Sequence, residues 1–256
     1  MTTVAYASDL HLEFGNPVPT EGLEKADILV LAGDVDTLPE GWADLLRRLR
    51  KVFSGPIIGI LGNHEYYNAT FPNDRQKFRD AIAHDRQAYL LEKEMVILDG
   101  VRFLGATLCT DFASGRQMRS CQRVMADFDV IFDGHSGSIT PELILKEHQD
   151  TMDWLDTQIV RHPHKGPTVV ITHHAPSYQS QHPRFAGSLI SGASALIRSI
   201  AFSVGTRRAL HRICGFMAMC MIPWITASAR PVSSAIRGDI PMRAMTWGFV
   251  WWKFEG

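Results

Sequence analysis

Short apolar runs punctuate the chain, and four of them break off at polar residues able to hold a metal. The run from Thr3 to Ser8 leads into Asp9-Leu10-His11, and Ile28 to Ala32 leads into Gly33-Asp34. Ile57 to Leu61 leads into Gly62-Asn63-His64-Glu65, and Thr168 to Thr172 into His173-His174. Runs of this length, rich in β-branched residues, predict buried strands. Between them, Trp42 to Arg50 places apolar residues at helical spacing opposite a basic face, the pattern of a packed surface helix. A second helix is predicted from about Asp74 to Leu91 with Asn73 as N-cap. A third begins at Thr140-Pro141, cap and first helical position, and runs to about Val160. Val96 to Leu104 predicts a β-hairpin turning at Asp99-Gly100. Phe112 to Gly137 is long, polar and aromatic in patches. It reads as irregular, and a connection of that length in a compact domain is often an active-site loop. Strands alternating with helices predict an α/β fold with helices packed on the sheet faces.

The pattern stops near Ser199. From there to the end only Asp239 and Glu255 are acidic, against seven Lys or Arg. Five of the ten Met and four of the six Trp also fall in this stretch. Neither a helical nor a strand period is sustained. The division expected is therefore a domain over 1–198 and an aberrant tail over 199–256.

Composition narrows the function classes only a little. A chain of 256 residues fits one large α/β domain. A net charge of -1 gives no reason to expect nucleic acid or an anionic membrane as partner. Cys109, Cys121, Cys214 and Cys220 lack C-x-x-C spacing, which argues for free thiols in a reducing compartment. The first strand begins almost at Met1 with no basic leader, and Ile213 to Trp224 is too short to span a bilayer. The expectation is a soluble cytoplasmic protein.

The run-ending residues carry the chemistry. On an extended segment Asp9 and His11, two apart, point to one face and can grip one ion. Gly33 permits a tight turn that leaves Asp34 free at a strand end, where its two oxygens suit it to bridge two cations. Asn63 offers an amide oxygen and His173 an imidazole nitrogen. Oxygen and nitrogen donors without thiolate suit manganese, iron, zinc or nickel rather than a structural zinc. In open α/β sheets such a site lies beyond the carboxyl ends of the strands.

Asp-x-His, Gly-Asp, Gly-Asn-His-Glu and a His after a strand, in this order, resemble the calcineurin-like metallophosphoesterases over about residues 1 to 198. Asp9-Leu10-His11-Leu12-Glu13-Phe14 and Thr172-His173-His174-Ala175-Pro176 are similar to a compact bacterial subgroup. The resemblance implies a four-layer αββα sandwich and a centre of two divalent metal ions hydrolysing small phosphomonoesters or phosphodiesters. It implies Asp9 and His11 on one ion, Asn63 and His173 on the other, and Asp34 between them. His64 would face the scissile ester and assist the leaving oxygen, while Glu65 would support His64 or its loop. His174 is the less favoured of the adjacent pair as a ligand. A non-catalytic remnant of the fold and a nuclease of the same family are the alternatives.

The family's last motif, Gly-His-x-His, is absent. After His182 only His211 remains, in Ala209-Leu210-His211-Arg212. Reading the codons for Phe216 to Ile225 one base out of register explains the loss. Met217 before Ala218 then forces Gly, Met219 before Cys220 forces Val, and Met221 before Ile222 forces Asp. The intervening codons allow His three times, so the shifted peptide can read His-Gly-His-Val-His-Asp. Local patterns that disagree this sharply argue against an evolved, foldable segment. A frameshift near Ser199 and a C-terminal part of the fold disrupted by it are the expectation.

Overall fold

The computed structural model describes residues 2–135, 137–174 and 176, together with two strands at 213–217 and 250–254. Four parallel strands, β1 (Thr2–Ala7), β2 (Ile28–Ala32), β3 (Ile57–Ile60) and β4 (Ala88–Leu90), form one sheet in the order β4-β3-β2-β1. In a second sheet β5 (Glu94–Leu98) lies antiparallel to β6 (Val101–Ala106), and β6 parallel to β7 (Thr168–Thr172). Two late strands extend both sheets: β8 (Ile213–Met217) runs parallel beside β7, and β9 (Val250–Phe254) antiparallel beside β1.

Alternation along the strands builds the layers. Ala5, Leu29, Leu31 and Ile57 face Trp42, Leu45, Leu46 and Leu49 of α1 (Pro39–Leu49), and Phe78 and Ile82 of α2 (Arg75–Ile82). Their neighbours Val4, Ile28, Val30, Ile58 and Ile60 face Val101, Phe103, Val169 and Ile171 of the second sheet. Beyond that sheet, Leu104 and Val170 pack on Leu155 of α5 (Pro141–Asp156), flanked by Met152 and Trp154. The molecule is thus an αββα sandwich, which is why β2, β6 and β7 are buried along their whole length.

Several predicted elements appear as read. Asp99 and Gly100 both take positive φ, 49° and 76°, and turn β5 into β6 as a two-residue hairpin. Thr140 Oγ1 accepts from Leu143 N at 3.3 Å, Pro141 opens α5, and a π-helical turn over Thr157–Arg161 ends it. Two elements differ. The helix expected from Asp74 to Leu91 stops at Ile82, and Ala88–Leu90 is strand. Asp85 causes the break: its carboxylate accepts from Gln87 N and receives the Arg50 guanidinium at 2.5 and 3.1 Å. Gln87 O then takes Ile57 N, which starts the pairing with β3. The segment from Phe112 to Gly137 is not irregular throughout, since it contains α3 (Met118–Val124) and α4 (Asp127–Val130). Cys121 and Phe128 anchor these two helices in the core.

Among the described residues no helix is long and apolar enough to cross a membrane. Cys109 and Cys121 are buried free thiols.

Candidate metal centre

Beyond the carboxyl ends of β1, β2, β3 and β7 the chain brings Asp9, His11, Asp34, Asn63, His64 and His173 together. Candidate ligand atoms of His11, Asp34 and His64 lie within 4.8 Å of one another, and so do those of Asp9, Asp34 and His173. Asp34 belongs to both groups, and its two oxygens divide between them. Oδ1 lies 3.4 Å from His173 Nε2, whereas Oδ2 lies 3.8 Å from His11 Nε2 and 4.0 Å from His64 Nε2. Asn63 Oδ1 stands 3.3 Å from His173 Nε2.

The local backbone differs from the extended segment expected around Asp9. Asp9, His11 and Asp34 all have left-handed φ, of 54°, 46° and 52°. That conformation disfavours residues with a Cβ and is stored where surrounding contacts over-determine it. Here Asp9 N donates to Gly33 O, His11 N to Asp34 O and Leu12 N to Val35 O, zipping the first two loops together beyond the strands. Gly33 is needed beneath them, at φ 90°, because a Cβ there would sit 2.6 Å from His173 Nδ1 and 2.7 Å from Gly62 N. A Cβ on Gly62 would lie 2.2 Å from Asp34 Oδ1.

The three histidines share one orientation. His11 Nδ1 and His64 Nδ1 both meet Glu13 Oε1, at 3.1 and 3.0 Å, and His173 Nδ1 donates to Ala32 O at 2.9 Å. Each ring therefore spends one nitrogen on an acceptor and turns Nε2 toward Asp34, the arrangement that outer partners impose on metal-binding histidines. The other groups facing the centre are carboxylate and amide oxygens, so acceptors converge with no side-chain cation but histidine among the described residues. This donor set fits divalent ions. Burial pushes His173 down, but Asp34 outweighs it and holds the imidazole up to about 10. Burial likewise raises Asp34, and the nearby His173 and His64 overturn that, leaving its carboxyl well below the usual range.

Glu65 organises the two central loops. Fully buried, its Oε2 accepts from Asp34 N at 3.0 Å and Gly62 N at 2.7 Å, and its Oε1 from Val35 N at 2.7 Å and Trp42 Nε1 at 3.1 Å. Burial and then the Asp34 charge push it up to about 7, and its backbone donors oppose the rise. Glu65→Gln would turn an NH2 group toward two of these donors. It should cost about 2–4 kcal/mol of stability, the scale of lost charge-assisted bonds plus stranded buried donors. Chemical denaturation of both proteins measures this. A change under about 1 kcal/mol, one ordinary hydrogen bond, would show that Glu65 does not tie the loops.

Three residues without an assigned role in the sequence also enter the centre. Glu13 joins His11 to His64, and its place two residues beyond the Asp-x-His motif was the available signal. Tyr67 stacks on His64 with ring centroids 4.1 Å apart and interplanar angle 22°. Asp127 accepts from Tyr67 Oη at 3.0 Å and Asn63 Nδ2 at 3.1 Å. Nothing in the sequence pairs position 127 with position 63. His174 is in neither ligand group. Burial and the adjacent His173 hold it down at about 3, a neutral imidazole. His182, His211 and the back-translated segment outside β8 lie beyond the described residues.

The model of the calcineurin-like phosphoesterase family matches residues 2–202. Among solved structures the chain is similar to the phosphopantetheinyl hydrolase PptH of Mycobacterium tuberculosis. The TM-score is 0.58 at 15% identity, covering 84% of this chain and 81% of that one. No curated protein sequence matches.

Proposed function

The chain belongs to the calcineurin-like phosphoesterase family, and on that footing we propose that its centre hydrolyses small phosphomonoesters or phosphodiesters with two divalent metal ions. The observation that carries the reading is Asp34, whose two buried oxygens face two separate donor groups. Asp9 and His11, with Oδ1 and Nε2 3.9 Å apart, would hold one ion, Asn63 and His173 the other, and Asp34 both; Asp9 also lies within reach of His173, so the two sets adjoin. Manganese is the first choice, with iron, zinc or nickel the alternatives. Such a pair supplies Lewis-acid stabilisation of charge on the phosphoryl oxygens.

The chain's own residues do the rest. Glu13 and Tyr67 fix the His64 ring by hydrogen bond and stacking. That leaves His64 Nε2 toward the centre to pass a proton to the leaving oxygen. The buried carbonyl of Ala32 fixes His173, and Glu65 holds the Gly33-Asp34 and Gly62-Asn63 turns in register. The absent Gly-His-x-His favours a second reading for the chain as written, a remnant that folds and binds metal weakly. Both readings meet in the proposal of a frameshift near Ser199, supported by the family match ending at residue 202. We also propose a cytoplasmic location and a small phosphoester as substrate, the net charge of -1 giving no indication of nucleic acid.

His64→Ala tests the catalytic role. In a chain carrying the in-frame C-terminus, it should keep its metal while turnover of an aryl phosphate falls roughly 10²–10⁴-fold, the range for a general acid. Metal analysis beside kinetics decides. Loss of metal would make His64 a ligand, a role that its position in one ligand group permits geometrically.

A further inference from the structure

We propose that Asp127 is a positioning residue that decides which end of the Asn63 amide faces the metal centre. The inference rests on the reading of Asn63 as a ligand and adds a residue to it. The two ends of a primary amide have nearly the same shape, so packing alone cannot choose between them; the hydrogen-bond partners do. On one side Asn63 Nδ2 lies 3.1 Å from Asp127 Oδ1 and 3.4 Å from Tyr67 Oη. On the other, Asn63 Oδ1 lies 3.3 Å from His173 Nε2. A carboxylate only accepts, and the Tyr67 hydroxyl already spends its proton on Asp127 Oδ1 at 3.0 Å. Both partners on that side therefore take the NH2, and the oxygen is left toward the centre. Turned over, the amide would set oxygen against carboxylate and offer the ions an NH2 group that cannot coordinate them.

Asp127 can enforce this because its own place is fixed. It opens α4, whose following turn is laced to the chain just after the Asn63 loop. Asn68 N donates to Val130 O at 2.7 Å, Phe132 N to Ala69 O at 2.9 Å, and Phe71 N to Phe132 O at 2.8 Å. Phe128 is buried beside Phe112, ring centroids 6.2 Å apart. The segment between β6 and α5 thus earns its length by delivering one carboxylate to the back of a ligand 64 residues earlier.

The experiment is a manganese titration of the full 256-residue chain, followed by electron paramagnetic resonance, for the parent and five variants. Asn63→Ala should weaken one ion. Asp127→Ala should weaken the same ion roughly 10–100-fold, the usual cost of losing an outer partner. Asp127→Leu keeps the volume filled and should do the same, which covers the case in which the alanine variant does not fold. Asp127→Asn loses the charge but keeps an acceptor oxygen, and should bind within a few-fold of the parent. Combining Asn63→Ala with Asp127→Ala should add no further loss, as expected for residues acting through one interaction. Unchanged binding in Asn63→Ala would overturn the ligand assignment itself. Weakening in Asn63→Ala with parent-like binding in Asp127→Leu would overturn only the positioning role. Asp127→Asn falling as far as Asp127→Leu would also overturn it, assigning the effect to charge.

Discussion

Asp34→Asn is expected to abolish two-ion binding and, in a chain carrying the in-frame C-terminus, phosphoesterase activity. Asp34 Oδ1 lies 3.4 Å from His173 Nε2 and accepts His64 N at 2.9 Å, while Oδ2 faces His11 and His64. An asparagine can present oxygen to only one of these sides. The NH2 on the other cannot coordinate, and one negative charge that would offset the two ions is gone. The affinity for at least one ion should therefore fall by more than about 100-fold, beyond the cost of disturbing an outer partner. Manganese titration gives the stoichiometry, and hydrolysis of an aryl phosphodiester gives the activity. Two ions bound with parent affinity would mean that Asp34 does not bridge.

How far this site can be read from sequence depends on the range of the interaction. Gly33-Asp34, Gly62-Asn63-His64 and His173 stand immediately after strands, so predicting the strands placed them at one end of the sheets. Thr140-Pro141 and Asp99-Gly100 were legible for a related reason: caps and tight turns are decided within a few residues. The left-handed Asp9 and His11 were not legible, because their backbone is set by hydrogen bonds to Gly33, Asp34 and Val35 on a different loop. The strand at Ala88–Leu90 was missed because its neighbour Ile57 lies on another element, and a helical period ran up to it. Glu13 and Asp127 act across 51 and 64 positions, distances at which a single sequence shows no pairing. The strands at Ile213–Met217 and Val250–Phe254 lie in a stretch with no sustained period. Their pairing with β7 and β1 is supplied by the sheets they join.

The last expectation concerns that same stretch. A version of the gene re-read one base out of register from near the codon for Ser199 should gain metal-dependent phosphodiesterase activity, whereas the 256-residue chain should have little or none. The forced codons following Met217, Met219 and Met221 give Gly, Val and Asp at the spacing of a His-Gly-His-Val-His-Asp peptide. Two more imidazoles would give each ion one further neutral donor. Without them the proposed ligands Asp9, His11, Asp34, Asn63 and His173 would have to satisfy two dications alone, and both should bind weakly. Expressing both versions, loading them with manganese and following hydrolysis of the same diester makes the comparison direct. Equal activity would remove the frameshift account and require residues of the present chain, His174 or His182 first among them, to complete the centre.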